Sequence, residues 1–142
     1  MKTLIILLLF PLLGFSQSVT GLLGYNCAEI NYKIKGDLNY GIAASVTKSD
    51  DIARRASRNN TNFDTHTANT TISPSLFFLI GATFDNITIT GKLGATYFDQ
   101  NINNVKEPQN IYRSVGAQFQ YKNFIFSYDS TNSAMIGYEF NF

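Results

Sequence analysis

Few side chains in this sequence are of a kind that does chemistry on a substrate. The one histidine, His66, lies in Asp64-Thr65-His66-Thr67 with serines and threonines around it, so a base and several hydroxyls share one stretch. A Ser-His-Asp relay needs an imidazole oriented by a carboxylate and aimed at one hydroxyl. No spacing here singles out such a set, and a solvated loop histidine is the plainer reading. One histidine and one cysteine, Cys27, make no zinc set. There is no phosphate-binding loop and no dinucleotide fingerprint. We therefore assign no catalytic, cofactor or metal residue and read the chain as a non-enzyme.

Two groups of charges offer chemistry of another kind. Arg54, Arg55 and Arg58 crowd the polar stretch 49–71. Asp50 can cap a short helix from Ile52 to Ser57, which would put Arg54 and Arg58 on one face. That face would suit the phosphates of surface lipopolysaccharide or another anionic ligand. The competing reading is a solvated loop neutralised by Asp50 and Asp51. The second group is Glu29, Lys33, Lys92 and Glu139, two acids and two bases, each on the polar side of an alternating segment.

The elements that must position these groups are strands, because apolar and polar residues alternate with period two in segment after segment. Ile30, Tyr32 and Ile34 oppose Glu29, Asn31, Lys33 and Lys35, and Leu38 to Val46 alternates with Asn39 to Thr47. Ile72, Pro74, Leu76, Phe78, Ile80, Ala82 and Phe84 share one parity, and Phe77 and Leu79 break the polar parity opposite. Pro74 cannot donate to a ladder and must sit near a strand end or bulge. Ile87 to Tyr97, Val115 to Tyr121, Phe124 to Asp129 and Ala134 to Phe142 complete the set. The first segment, Val19 to Tyr25, is irregular: Leu22 falls on the wrong side, and a change of phase requires a turn or bulge near Asn26-Cys27. Eight strands result, or six or a partly open sheet if Val19 to Lys35 is one bent strand.

Gly36-Asp37, Asp85-Asn86 and Lys122-Asn123 are tight turns. The long polar stretches 49–71 and 99–110 alternate with them, so long and tight connections fall at opposite ends of an up-and-down meander. Short connections near Asn26 and Thr131 share the long-loop end.

Composition narrows the setting. Met1-Lys2-Thr3 and an apolar run of about a dozen residues from Leu4 to Phe15 have the form of a signal peptide, too short for a membrane span. Small residues Gly14 and Ser16 place cleavage before Gln17, leaving residues 17–142 as one domain. Those residues carry ten Lys plus Arg against ten Asp plus Glu. A neutral chain of scattered bases lacks the footprint of a nucleic-acid binder. A single cysteine gives no internal disulfide. Twelve Phe and eight Tyr with no Trp, among many Asn, Thr, Ser and Gly, suit a sheet with one oily and one wet face.

Period alone does not say which face is inside. In a soluble sandwich or lipocalin-like barrel the apolar parity points inward, and in an outer-membrane barrel it points to lipid. Aromatics at segment ends, Tyr40, Phe84, Tyr97, Tyr121, Phe124, Tyr128, Phe140 and Phe142, suit two interfacial girdles. The small polar set would fill an eight-stranded interior without leaving a channel. Buried charges must be paired, so Glu29, Lys33, Lys92 and Glu139 are expected to meet inside.

With its leader, its eight alternating segments, its tight turns opposite long loops and its final Tyr138, Phe140 and Phe142, the chain resembles the small outer-membrane β-barrels of the OmpA/OmpX type, in the porin-like superfamily. The resemblance implies an all-β fold, an eight-stranded antiparallel up-and-down transmembrane barrel in the outer membrane of a Gram-negative cell envelope. It implies that the barrel assembly machinery reads Tyr138, Phe140 and Phe142 as a C-terminal signal. Outer-membrane lipid and a possible anionic ligand at the 49–71 loop are the expected partners, with no nucleic acid and no cofactor. The role is structural or adhesive, through surface loops. The alternatives are a soluble exported barrel that binds a small apolar ligand and, third, a lipid-A-modifying barrel enzyme.

Overall fold

The computed structural model describes residues 16–52, 66–68, 71–98, 100–102 and 111–142. Ten strands form: β1 (Gln17–Gly24), β2 (Cys27–Ile34), β3 (Leu38–Lys48), β4 (His66–Ala68), β5 (Ile72–Phe84), β6 (Ile87–Tyr97), β7 (Gln100–Ile102), β8 (Ile111–Tyr121), β9 (Phe124–Asp129) and β10 (Ser133–Asn141). Eight of them close into an antiparallel up-and-down barrel in the order β1-β10-β9-β8-β6-β5-β3-β2, so the first strand pairs the last and no barrel edge is left. The fold class read from the alternation is therefore an all-β barrel in fact.

The registers also fix the size of the barrel. Paired positions lead from Ser18 through Lys33, Gly41, Leu79, Lys92, Gly116 and Asp129 to Ser133. Continuing the β10–β1 register, Ser133 faces Asn26, eight residues along from the start. Eight strands with a shear of eight tilt by about 36° and enclose a space that side chains fill.

The structure decides three points in these segments. Strands β1 and β2 are separate, joined by Tyr25-Asn26 with Asn26 at φ 61°, so the six-stranded option is excluded. Leu22 does lie on the face opposite Val19 and Leu23, and it has a partner there: it points inward and packs with Cys27, Ile125 and Met135. Within the long polar stretch, His66 lies in the three-residue strand β4 and pairs with Ile102 of β7. Those two short strands form a separate sheet that no hydrophobic period announces.

The turns fall as the sequence suggests. Asp85 and Lys122 hold φ near 54° at the first position of two-residue hairpins, where a type II′ turn needs it. Pro74 lies just beyond Ser75, the last β5 residue paired with β6, where its missing N–H costs no ladder bond on that side. At the other end of the molecule, residues 49–52 make a helical turn that begins at Ser49, one residue ahead of the expected Asp50 cap. Asp51 instead accepts a hydrogen bond from the Asn26 amide at 2.9 Å. Arg54, Arg55 and Arg58 lie outside the described residues, as do residues 1–15.

Inward-facing glycines allow the strands to pack this tightly. At Gly116 an added Cβ would land against the Asp129 Cβ and the Tyr128 carbonyl, far inside contact distance. Gly116→Ala is expected to lower stability by about 1–3 kcal/mol, the cost of overpacking a filled core. Urea unfolding of the purified barrel measures it, and an unchanged midpoint would mean that β8 and β9 are not held this close.

Candidate functional site: a charged interior inside an apolar wall

The barrel has its polar parity inside and its apolar parity outside. Lys92 and Glu139 are 3% and 0% exposed, while Leu93 is 64% and Phe140 56% exposed. The same holds around the circumference: Ile30, Ile42, Phe78, Ile89, Val115, Phe126 and Ile136 all face outward and are exposed. The strand-end aromatics follow, with Phe84, Tyr121, Phe124, Phe140 and Phe142 at the tight-turn end and Tyr25, Tyr97 and Tyr128 toward the loop end. Tyr138, Phe140 and Phe142, the expected assembly signal, are among the exposed set, and Tyr138 packs edge-on against Phe124 and Phe140.

Inside, the four expected charges are buried, and they divide into two clusters. In mid-barrel the Lys92 ammonium lies 2.6 Å from Glu29 Oε2 and 2.6 Å from Asp129 Oδ2, and 4.4 Å from the centre of the Phe77 ring. Gln118 Nε2 donates to Glu29 Oε1 at 3.2 Å. With its amide nitrogen turned toward Glu29, Asn31 donates to Oε1 at 2.9 Å and accepts from Gln118. Desolvated charges of this kind persist only when geometry and added hydrogen bonds satisfy them, and here each carboxylate has several donors.

Nearer the tight turns, Lys33 pairs with Glu139 at 2.9 Å, and Lys35, partly exposed, pairs with the same carboxylate. Ser18 Oγ and Gln120 Nε2 donate to Glu139 at 3.0 and 2.7 Å. The mid-barrel cluster has two carboxylates to one ammonium, and the lower has two ammoniums to one carboxylate. Each cluster carries the charge excess that the other lacks.

Sequence reasoning missed Asp129, Lys35 and Asn132 as members. Asp129 and Lys35 had a usable signal, since each shares the polar parity of its segment. Asn132 had none. It sits in the Ser130–Asn132 turn, and its buried amide reaches into the barrel to donate to Glu29, Asp129 and Ser45 at 3.2, 3.1 and 2.9 Å. Asp129 Oδ1 holds that turn by accepting the N–H groups of Thr131 and Asn132 at 2.9 and 2.6 Å.

Above this turn the interior closes. The Thr96 hydroxyl hydrogen-bonds with those of Ser75, Ser114 and Thr131. Over these lie Ile52 and Phe98, buried together with Tyr112 against them. The space within the wall is thus occupied from the Lys33–Glu139 pair to Phe98. Among the described residues, no group of three or more His, Cys, Asp or Glu is placed to hold a metal ion.

What fold and site define together is a class: a closed eight-stranded antiparallel up-and-down β-barrel with ion pairs inside and an apolar exterior. Compared with known family models, with curated proteins and with solved structures, the chain matches none of them.

Proposed function

We propose that this barrel stands in the outer membrane of a Gram-negative cell envelope and does structural or adhesive work there through its loop end, chiefly residues 49–71. One observation carries the reading: the exterior is apolar around all eight strands, while every charge of those strands except Lys48 and Arg113, both toward the loop end, is turned inward. Soluble monomers rarely expose a contiguous apolar patch beyond a few hundred Å². Lipid accepts such a wall, and a closed barrel leaves no backbone group unpaired within it. The dimensions agree. An eleven-residue strand such as β6, at about 3.3 Å per residue and about 36° of tilt, rises about 29 Å, against an apolar band of about 25 Å in outer-membrane barrels.

In this reading residues 1–16 are a leader removed before Gln17. The assembly machinery meets the outward Tyr138, Phe140 and Phe142, as the likeness to OmpA/OmpX-type barrels implies. The arginines Arg54, Arg55 and Arg58 belong to the surface loop that would take an anionic ligand. Porin-like diffusion is disfavoured by the filled interior. A soluble exported barrel holding a small apolar ligand would need its apolar parity inward, which is the reason we rank it second. A lipid-A-modifying enzyme would need His66 to act, and loss of lipid modification on His66→Ala would restore that reading.

The whole chain, expressed in a Gram-negative host, is expected to fractionate with outer membranes and to migrate faster on gels before boiling than after. Protease should cut the embedded protein only in the Arg54–Arg58 region. Recovery from the periplasm with a bound apolar ligand would overturn the proposal.

A further inference from the structure

The outward faces of the eight barrel strands carry two charged side chains, Lys48 and Arg113. Lys48 is the last residue of β3, and its ammonium lies 4.0 Å from Asp50. Arg113 is different. It is the third residue of β8, on the apolar parity, between Ile111 and Val115, both well exposed. It is exposed itself, and no described residue forms an ion pair with it.

Among the described residues its surroundings are open on both sides. Across the β6–β8 ladder it faces Ala95, and Tyr97 lies opposite Ile111 one outward step higher. On its other flank β9 is short: the β8–β9 register starts at Gly116, and Ser130 adds one last backbone bond to Val115. Arg113 thus stands where β8 rises above its neighbour, at the loop-end rim of the apolar wall, beside a girdle tyrosine.

We propose that Arg113 binds the phosphate of a membrane lipid headgroup, an inference that rests on the membrane reading above. An outward side chain at the rim of a lipid-facing wall meets lipid headgroups, and the anion that they present at that depth is phosphate. The planar guanidinium takes two phosphate oxygens at once and is less strongly hydrated than an ammonium. Its aliphatic stem lies along the apolar wall while the head reaches the polar layer. The small Ala95 leaves that approach clear.

The whole chain, purified in detergent, is reconstituted into phosphatidylcholine vesicles containing a minor share of phosphatidic acid. It is then re-extracted in neutral detergent, and the lipid retained is counted by native mass spectrometry. Arg113→Gln is expected to lower the retained ratio of phosphatidic acid to phosphatidylcholine by about five- to tenfold, and Arg113→Lys by less. Lys48→Gln should leave the ratio unchanged, and inorganic phosphate should not displace the lipid. An Arg113→Gln barrel that keeps its heat-shifted migration and the wild-type ratio would overturn the inference while leaving the membrane reading intact. Displacement by inorganic phosphate would overturn it too, by reducing the site to an unspecific anion contact. A chain that never enters the vesicles sinks both.

Discussion

Lys92→Met is expected to destabilise the barrel by about 3–5 kcal/mol, the cost of leaving a buried ion pair without one partner. The ammonium of Lys92 is the cation between Glu29 and Asp129, at 2.6 Å from each. Without it two carboxylates share a dry interior with amides and hydroxyls for company, and like charges at short range add to the desolvation of each. The triple change Lys92→Met, Glu29→Gln, Asp129→Asn should recover most of the loss, because a neutral, hydrogen-bonded set of similar volume avoids desolvating ions. Urea titration of the protein in lipid vesicles, followed by gel shift, would measure both. Wild-type stability in the single variant would mean that the charges are not gathered as described. Lys33→Met should cost less, since Lys35 still serves Glu139.

Leu93→Arg carries the second large effect, and its sign separates the two leading readings. Leu93 lies in the middle of β6 and faces outward. In a bilayer an arginine at that depth costs about 2–4 kcal/mol, falling to about 0–1 kcal/mol near the interface. Ile72→Arg, at the loop end of β5, should therefore be far milder. In water both positions would be ordinary surface sites, where substitutions usually stay within about 0.5 kcal/mol and an added charge helps solubility. A flat profile from Leu93 to Ile72 would favour the soluble barrel. The native Arg113 fits the same gradient, since it stands near the rim and not at mid-depth.

Much of the wall was legible in the sequence because period two is a local property. Each segment from Leu38 to Val46 or from Ile87 to Tyr97 declares its two faces without reference to any other. Where the reading failed, the local pattern was broken by something that only neighbours explain. Leu22 breaks the alternation of its segment because the barrel gathers Leu22, Cys27, Ile125 and Met135 into one apolar cluster within its interior. The strand β8 begins at Ile111, four residues ahead of the alternation that starts at Val115, and Arg113 stands on its apolar parity between them. The strands β4 and β7, three residues each, are too short to show any period.

The sequence by itself determined which residues share a face, where most hairpins turn and that the strands' ionisable groups, Lys48 and Arg113 apart, lie on the polar parity, since alternation and turn chemistry act within a few residues. It could not determine which face is inside, because a period of two is unchanged when the sheet is curled the other way. Nor could it assign Lys92 to Glu29 and Asp129, or bring Asn132 in from its turn. Those pairings depend on the registers of all eight strands and on the shear with which they close, and that closure belongs to the tertiary structure alone.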